Sequence, residues 1–194
     1  MKKLLVAMAA LSVAACASAS NPGAMVAPIT EQNVISETSA LHQNVVVGDV
    51  TGGQQTNPMW TSQVSSEDFA EALRQTFAAH AMLATDTGEY RLEAQLVELK
   101  QPLAGLNMTV TSRVSYTLFN VETDEIVFEE IIEEEYTAQM SAAFVGVERL
   151  RLANEGSIRE NIGSLINNLV GTMGDDMSGA TMDAPVQSNE TGVN

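Results

Sequence analysis

One cysteine, Cys16, serves all 194 residues, so no internal disulfide can form and any fold has to rest on packing alone. Basic residues are scarce as well. Nine Lys and Arg stand against 25 Asp and Glu, a formal net charge of −16. So acidic a surface argues against nucleic acid as a partner and against direct adsorption to anionic headgroups. Aromatic residues make up only 5%, too few for a sugar-stacking platform. The two histidines, His42 and His80, are 38 positions apart in the chain and form no metal-ligand pair. No Ser/His/Asp arrangement, cysteine nucleophile or glycine-rich phosphate loop has useful spacing. The residues therefore point away from an enzyme, a metal site or a cofactor. The apolar run from Leu4 to Ala15 has twelve residues, against roughly 20 for a helix that crosses the hydrocarbon core. No later run is longer, so membrane attachment has to come from a lipid or a partner.

What is present begins at the N-terminus. Lys2 and Lys3, the apolar run and the small residues after it are the parts of a secretory signal peptide over 1–15. Val13-Ala14-Ala15-Cys16 resembles the lipobox of bacterial lipoproteins. The resemblance implies a diacylglycerol on the Cys16 sulfur, cleavage before it, and a chain held on a membrane by its acyl groups. The alternative is an ordinary signal peptide cut after Ala17-Ser18-Ala19, which would release a soluble protein. Cleavage before Cys16 removes two of the nine basic residues and no acid, leaving 7 against 25, or −18. Ala17 rather than Asp follows the cysteine, which in such lipoproteins suits sorting to the outer membrane, facing the periplasm. Inner-membrane anchoring stays open.

Composition then divides the mature chain. Residues 16–43, rich in Ala, Ser, Thr, Asn and Gln, read as the lipidated cysteine and a flexible tether that lets the domain stand off the bilayer. Residues 44–170 form one domain, and 171–194 read as a disordered acidic tail. Asn44–Val50 is a short run rich in β-branched residues, as in a buried strand. Ser65 with Asp68 three residues on marks a helix start, and Phe69, Leu73, Phe77 and His80 form one stripe over about 67–84. On this stripe His80 is expected as a satisfied, half-buried imidazole. Tyr90–Leu96 alternates with period two, as do Val110, Ser112, Val114, Tyr116 and Leu118. After the turn Glu122-Thr123-Asp124-Glu125, Ile126, Phe128, Ile132 and Tyr136 share one parity. A long helix over 147–170 carries Leu150, Ile158, Ile162, Leu165, Ile166 and Leu169. Gly156 and Gly163 weaken it by roughly 1 kcal/mol each unless they serve close packing. The order β-α-β-β-β-α predicts an α+β two-layer sandwich, a mostly antiparallel sheet with two helices on one face.

Three stretches carry a family resemblance: Tyr90-Arg91-Leu92, Val114-Ser115-Tyr116-Thr117-Leu118 and Thr123-Asp124-Glu125-Ile126-Val127, followed by the long helix. They resemble the small periplasmic lipoproteins of the outer-membrane assembly and transport-auxiliary kind, which include the lipopolysaccharide-assembly lipoprotein. The family turn reads Thr-Gly-Glu, and here Asp124 stands where the glycine would be. Asp tolerates a left-handed conformation, so the hairpin survives. The resemblance implies a non-catalytic, lipid-anchored envelope protein that supports outer-membrane assembly or transport by binding an outer-membrane protein partner. The acidity departs from a surface suited to phosphate-rich lipid A.

Two apolar loops are the candidates for such contact. Pro102–Met108 offers Leu103, Leu106 and Met108, and Met140–Val145 offers Phe144. Exposed, they would form a docking patch; folded back, Phe144 would be core. Trp60, after Pro58-Met59, is open to the same two readings. The eight carboxylates of 122–135 lie along an expected strand, whose side chains diverge, and read as a solvated edge or face rather than a calcium site. A different class of function is a carrier holding a lipid or other apolar ligand between sheet and helices. Its mark would be a continuous apolar cavity.

Overall fold

The computed structural model describes residues 17–57 and 61–174. The signal peptide over 1–15, Cys16, Trp60 and the tail beyond 174 lie outside the described residues. Four strands, β1 (Val45–Thr51), β2 (Tyr90–Lys100), β3 (Met108–Asn120) and β4 (Ile126–Ala138), form one sheet in the order β1-β2-β3-β4. Helix α1 (Ser66–Ala79) joins β1 to β2, which run parallel, while β2, β3 and β4 are an antiparallel meander. Helix α2 (Gly146–Met173) returns over β3 and β4. The expected α+β two-layer sandwich is the observed one.

Local chemistry explains the elements. The Ser65 hydroxyl accepts from the Asp68 backbone N–H at 3.0 Å and so satisfies one free donor at the start of α1. Asp124 has φ +56°, in the left-handed region that its turn requires. Asn120 braces the same hairpin by accepting from the N–H groups of Glu122 and Thr123. Gly52 has φ +82°, and a Cβ there would lie 2.1 Å from the Leu96 carbonyl, so only glycine fits that turn. Along β3 the residues Val110, Ser112, Val114, Tyr116 and Leu118 are all fully buried, as the period-two alternation predicts.

Helix α2 runs beyond its expected end. Residues 171–173 are its last turn and Gly174 its cap, which corrects the tail boundary at 171. Gly156 is explained by close packing: a Cβ would lie 2.1 Å from the Tyr136 ring. The acidic strand β4 is a sheet edge, as expected, but its carboxylates divide by face. Glu134 accepts from the Ser164 hydroxyl at 2.6 Å and Glu130 from the Asn168 amide at 2.8 Å, both on α2. Glu129, Glu133 and Glu135 face solvent. His80 is more deeply buried than expected and only half satisfied. Its Nδ1 lies 2.8 Å from the Thr76 carbonyl, and its Nε2 has no partner among the described residues.

The main correction concerns 17–43. This segment is not a free tether: it packs against the domain and contributes side chains to the core. Met25, Ala27 and Leu41 join the cluster of Phe69, Leu73, Leu92, Ile158 and Ile162 between sheet and helices. A short 3-10 turn over Pro22–Met25 packs on both α1 and α2. Hydrogen bonds fix its polar backbone: the Ala27 N–H donates to Thr76 Oγ1 at 3.2 Å, Arg159 donates to the Ala24 carbonyl, and the Ser20 hydroxyl to the Gln63 carbonyl. Met25 and Leu41 are fully buried. Truncating either to Ala should cost about 2–5 kcal/mol in urea unfolding, where a tether position would change stability by about 0.5 kcal/mol or less.

Candidate functional site

The expected contact residues gather at one end of the sandwich. The β2–β3 loop (101–107) and the β4–α2 loop (139–145) lie side by side there, over a small core of Met108, Val110, Ala138, Leu150 and Ala153. Arg149, in the first turns of α2, holds the two loops together. Its guanidinium donates to the carbonyls of Ala143 at 2.6 Å and Phe144 at 3.0 Å, and to that of Gly105 at 3.3 Å. The side chain is buried and bonds to loop carbonyls, supplying donors to backbone groups that helix and sheet leave unpaired. Its Nε has no partner among the described residues.

With their backbones clamped from below, the loops turn their apolar side chains outward. Leu103 and Phe144 are as exposed as in an extended chain, at 106% and 100%, and Leu106 is 70% exposed. Met140 and Val145 extend the same patch. Phe144 is therefore surface, not core. Met108 is the exception among the four residues singled out from the sequence. It is 8% exposed, because as the first residue of β3 it points inward beneath the loops. Leu103, Met108, Gly146 and Leu150 border a shallow open depression of about 300 Å³.

Beside this patch lies a polar knot that sequence reading missed. The Ser62 hydroxyl donates to the Ser18 carbonyl at 3.0 Å. The Ser62 carbonyl accepts from the Gln101 amide at 2.9 Å and from the Asn154 amide at 3.1 Å. Gln101 also donates to Asn154 Oδ1 at 2.8 Å. One buried serine thus ties together the N-terminal segment, the loop before α1, the start of the β2–β3 loop and the first half of α2. Ser, Gln and Asn carry no sequence signal of such a role, since any surface loop holds them.

Next to the knot, Glu155 is 2% exposed and accepts from the Asn21 backbone N–H and from Arg151, both at 2.8 Å. Burial pushes its carboxyl above the ordinary carboxylate value, while Asn21 and Arg151 oppose the shift. Arg151 also pairs with the more exposed Glu148 and holds that carboxyl below its ordinary value. A third polar group lies wholly inside. The Tyr116 hydroxyl donates to Asn161 at 2.8 Å, and Asn161 donates to the Ile132 carbonyl at 3.0 Å. Burial raises the Tyr116 hydroxyl well above its usual range, and its place in the core gives it a packing role.

Two consequences can be measured. Replacing Arg149 with Met leaves three loop carbonyls without their donor, and should raise amide exchange across 101–107 and 139–145 while costing about 1–3 kcal/mol. For Glu155, the folded chain binds a proton more readily than the unfolded one, whose carboxyl titrates near 4.5. This group therefore lowers stability as pH rises from there through its raised value. Glu155→Gln removes that dependence, so its stability relative to the parent should improve as pH rises through this window. Urea unfolding across the acid range reads the difference.

No family model matches the chain, and no curated protein matches it in sequence. Among solved structures, the fold is similar to that of a DUF330-family protein from Xanthomonas campestris, with 11% identity and a TM-score of 0.60 over 84% of this chain and 99% of that one. A minor lipoprotein from Acinetobacter baumannii matches at 10% identity and a TM-score of 0.41, over 66% of this chain and 92% of the other. PelC from Paraburkholderia phytofirmans, a dodecamer, matches at 13% and 0.45, over 70% and 92%. The last two are too distant to carry an argument. The first establishes a shared fold: this chain has the sandwich architecture of the DUF330 protein.

Proposed function

We propose that this chain is a non-catalytic lipoprotein of the bacterial envelope, anchored through Cys16 and facing the periplasm, whose work is to present a contact surface at the membrane. The observation that carries the reading is the position of Ser18. Two residues after the lipobox cysteine, it is hydrogen-bonded to Ser62, in the polar knot beside the exposed apolar loops. A lipid on Cys16 would then lie at the same end as this contact surface. Support of outer-membrane assembly or transport, through an outer-membrane protein partner, is the task that the sequence resemblance favours within this reading.

The carrier reading has less support. The space where a ligand would lie, between sheet and helices, is filled by Leu92, Leu118, Tyr116, Ile158, Ile162 and Leu165, all fully buried. The Tyr116–Asn161 hydrogen bond crosses the same layer and closes it further.

Mass spectrometry of the mature N-terminus tests the anchor. The expected chain begins at an acylated Cys16 and fractionates with membranes, and Cys16→Ala should leave it unprocessed or soluble. An unlipidated chain beginning at Ser20 would overturn the reading.

A further inference from the structure

The geometry points to a lipid bilayer as the occupant of the apolar end: Leu103, Leu106, Met140, Phe144 and Val145 enter the membrane interface beside the acyl anchor, and the domain stands end-on rather than swinging on a leash. This inference rests on the lipoprotein reading and gives its contact surface a partner.

The length of the leash is the first argument. Were 17–43 a free tether, the domain would wander tens of ångströms from the bilayer, since a flexible chain of n residues spans roughly 5–6 Å × √n. The chain is instead fixed at Ser18, leaving two peptide units to Cys16, about 7 Å at full extension. Ser18 connects through Ser62 to Gln101, two residues before Leu103. An anchor in the membrane therefore brings the loop end to the membrane with it.

The second argument is charge. No Asp, Glu, Lys or Arg occurs in 101–112 or in 136–147, the two stretches that build this end, although 18% of the chain is charged. Side chains such as Leu103 and Phe144 gain by entering the acyl boundary, and no charged group in those stretches has to be dehydrated with them. The opposite end differs. Glu122, Asp124 and Glu125 sit on the hairpin at the far end of β3, whose 13 residues span about 40 Å. A chain of net −18 would be repelled from anionic headgroups by that hairpin, and the end-on posture carries it away from them.

The test uses the full chain, processed in a bacterial host and purified from its membranes. It is placed in vesicles of phosphatidylethanolamine with a minority of phosphatidylglycerol that carry a diazirine on an acyl chain. After irradiation, peptides covering 102–108 and 139–147 should carry the lipid label, and those covering 126–135 should not. Leu103→Asp with Phe144→Asp, at two fully exposed positions, should cut the labelling more than about fivefold, with the N-terminal acyl mass and the circular dichroism unchanged. An acylated chain whose loops stay unlabelled would overturn the membrane contact while leaving the lipoprotein reading intact. Loops shielded instead by a co-purifying protein would do the same, in favour of a protein partner. Absence of the acyl mass would remove the anchor itself.

Discussion

Enclosure of helix α2 is the constraint on which the rest of the molecule depends. A helix lying on a sheet normally keeps one face wet, with its apolar residues in a stripe. Here the six consecutive residues from Ala153 to Ile158 are all buried, and they include Asn154, Glu155 and Ser157. Burial all round needs cover on the side away from the sheet, and residues 17–27 supply it. That cover explains why the polar side chains of Asn154 and Glu155 are tolerated: they bond to the loop before α1 and to the segment, while the Ser157 hydroxyl donates to the Asn154 carbonyl within the helix. Glu155 accepts from Asn21, Asn154 donates to the Ser62 carbonyl, and the Ser157 carbonyl accepts from the Ser112 hydroxyl.

The same cover shortens the distance between Cys16 and the body of the protein. A segment composed like a spacer acts as a clamp, fixed to the body of the protein from Ser18 onward. Whatever holds Cys16 then also orients the sandwich. One end presents apolar loops that themselves carry no charged residue, and the other ends in an acidic hairpin. Arg149 makes this asymmetry durable by fixing the backbone of both apolar loops, so that their side chains stay on the surface instead of collapsing inward. Polar bonds under the loops thus maintain an apolar surface above them.

Much of the fold was legible because it rests on periodicity. The stripe of Phe69, Leu73 and Phe77, the alternation along β3 and the spacing of Leu150, Ile158, Ile162 and Leu169 all report which side faces a core, and all are buried. Turn chemistry was legible too, in Ser65 and Asp124. The N-terminal segment was not. Its buried apolar residues, Ala17, Met25, Ala27 and Leu41, fall at irregular intervals that show no period, and its backbone is held by partners up to 135 residues away. Met108 and Phe144 show the same limit at the candidate site. Both sit in apolar loop sequence, yet the first residue of a strand turns in and the middle of a clamped loop turns out.

From its sequence alone, then, this chain determined its elements and their order, the acidity of its surface and a single cysteine behind a lipobox-like run. Each depends on neighbours along the chain or on composition. Tertiary structure alone decided that Met25, Ala27 and Leu41 of the N-terminal segment belong to the core, that Ser62 ties that segment to the β2–β3 loop and α2, and that Leu103 and Phe144 share one exposed end. These follow from contacts between residues distant in the chain, where a buried backbone group must find a partner wherever the fold happens to bring one.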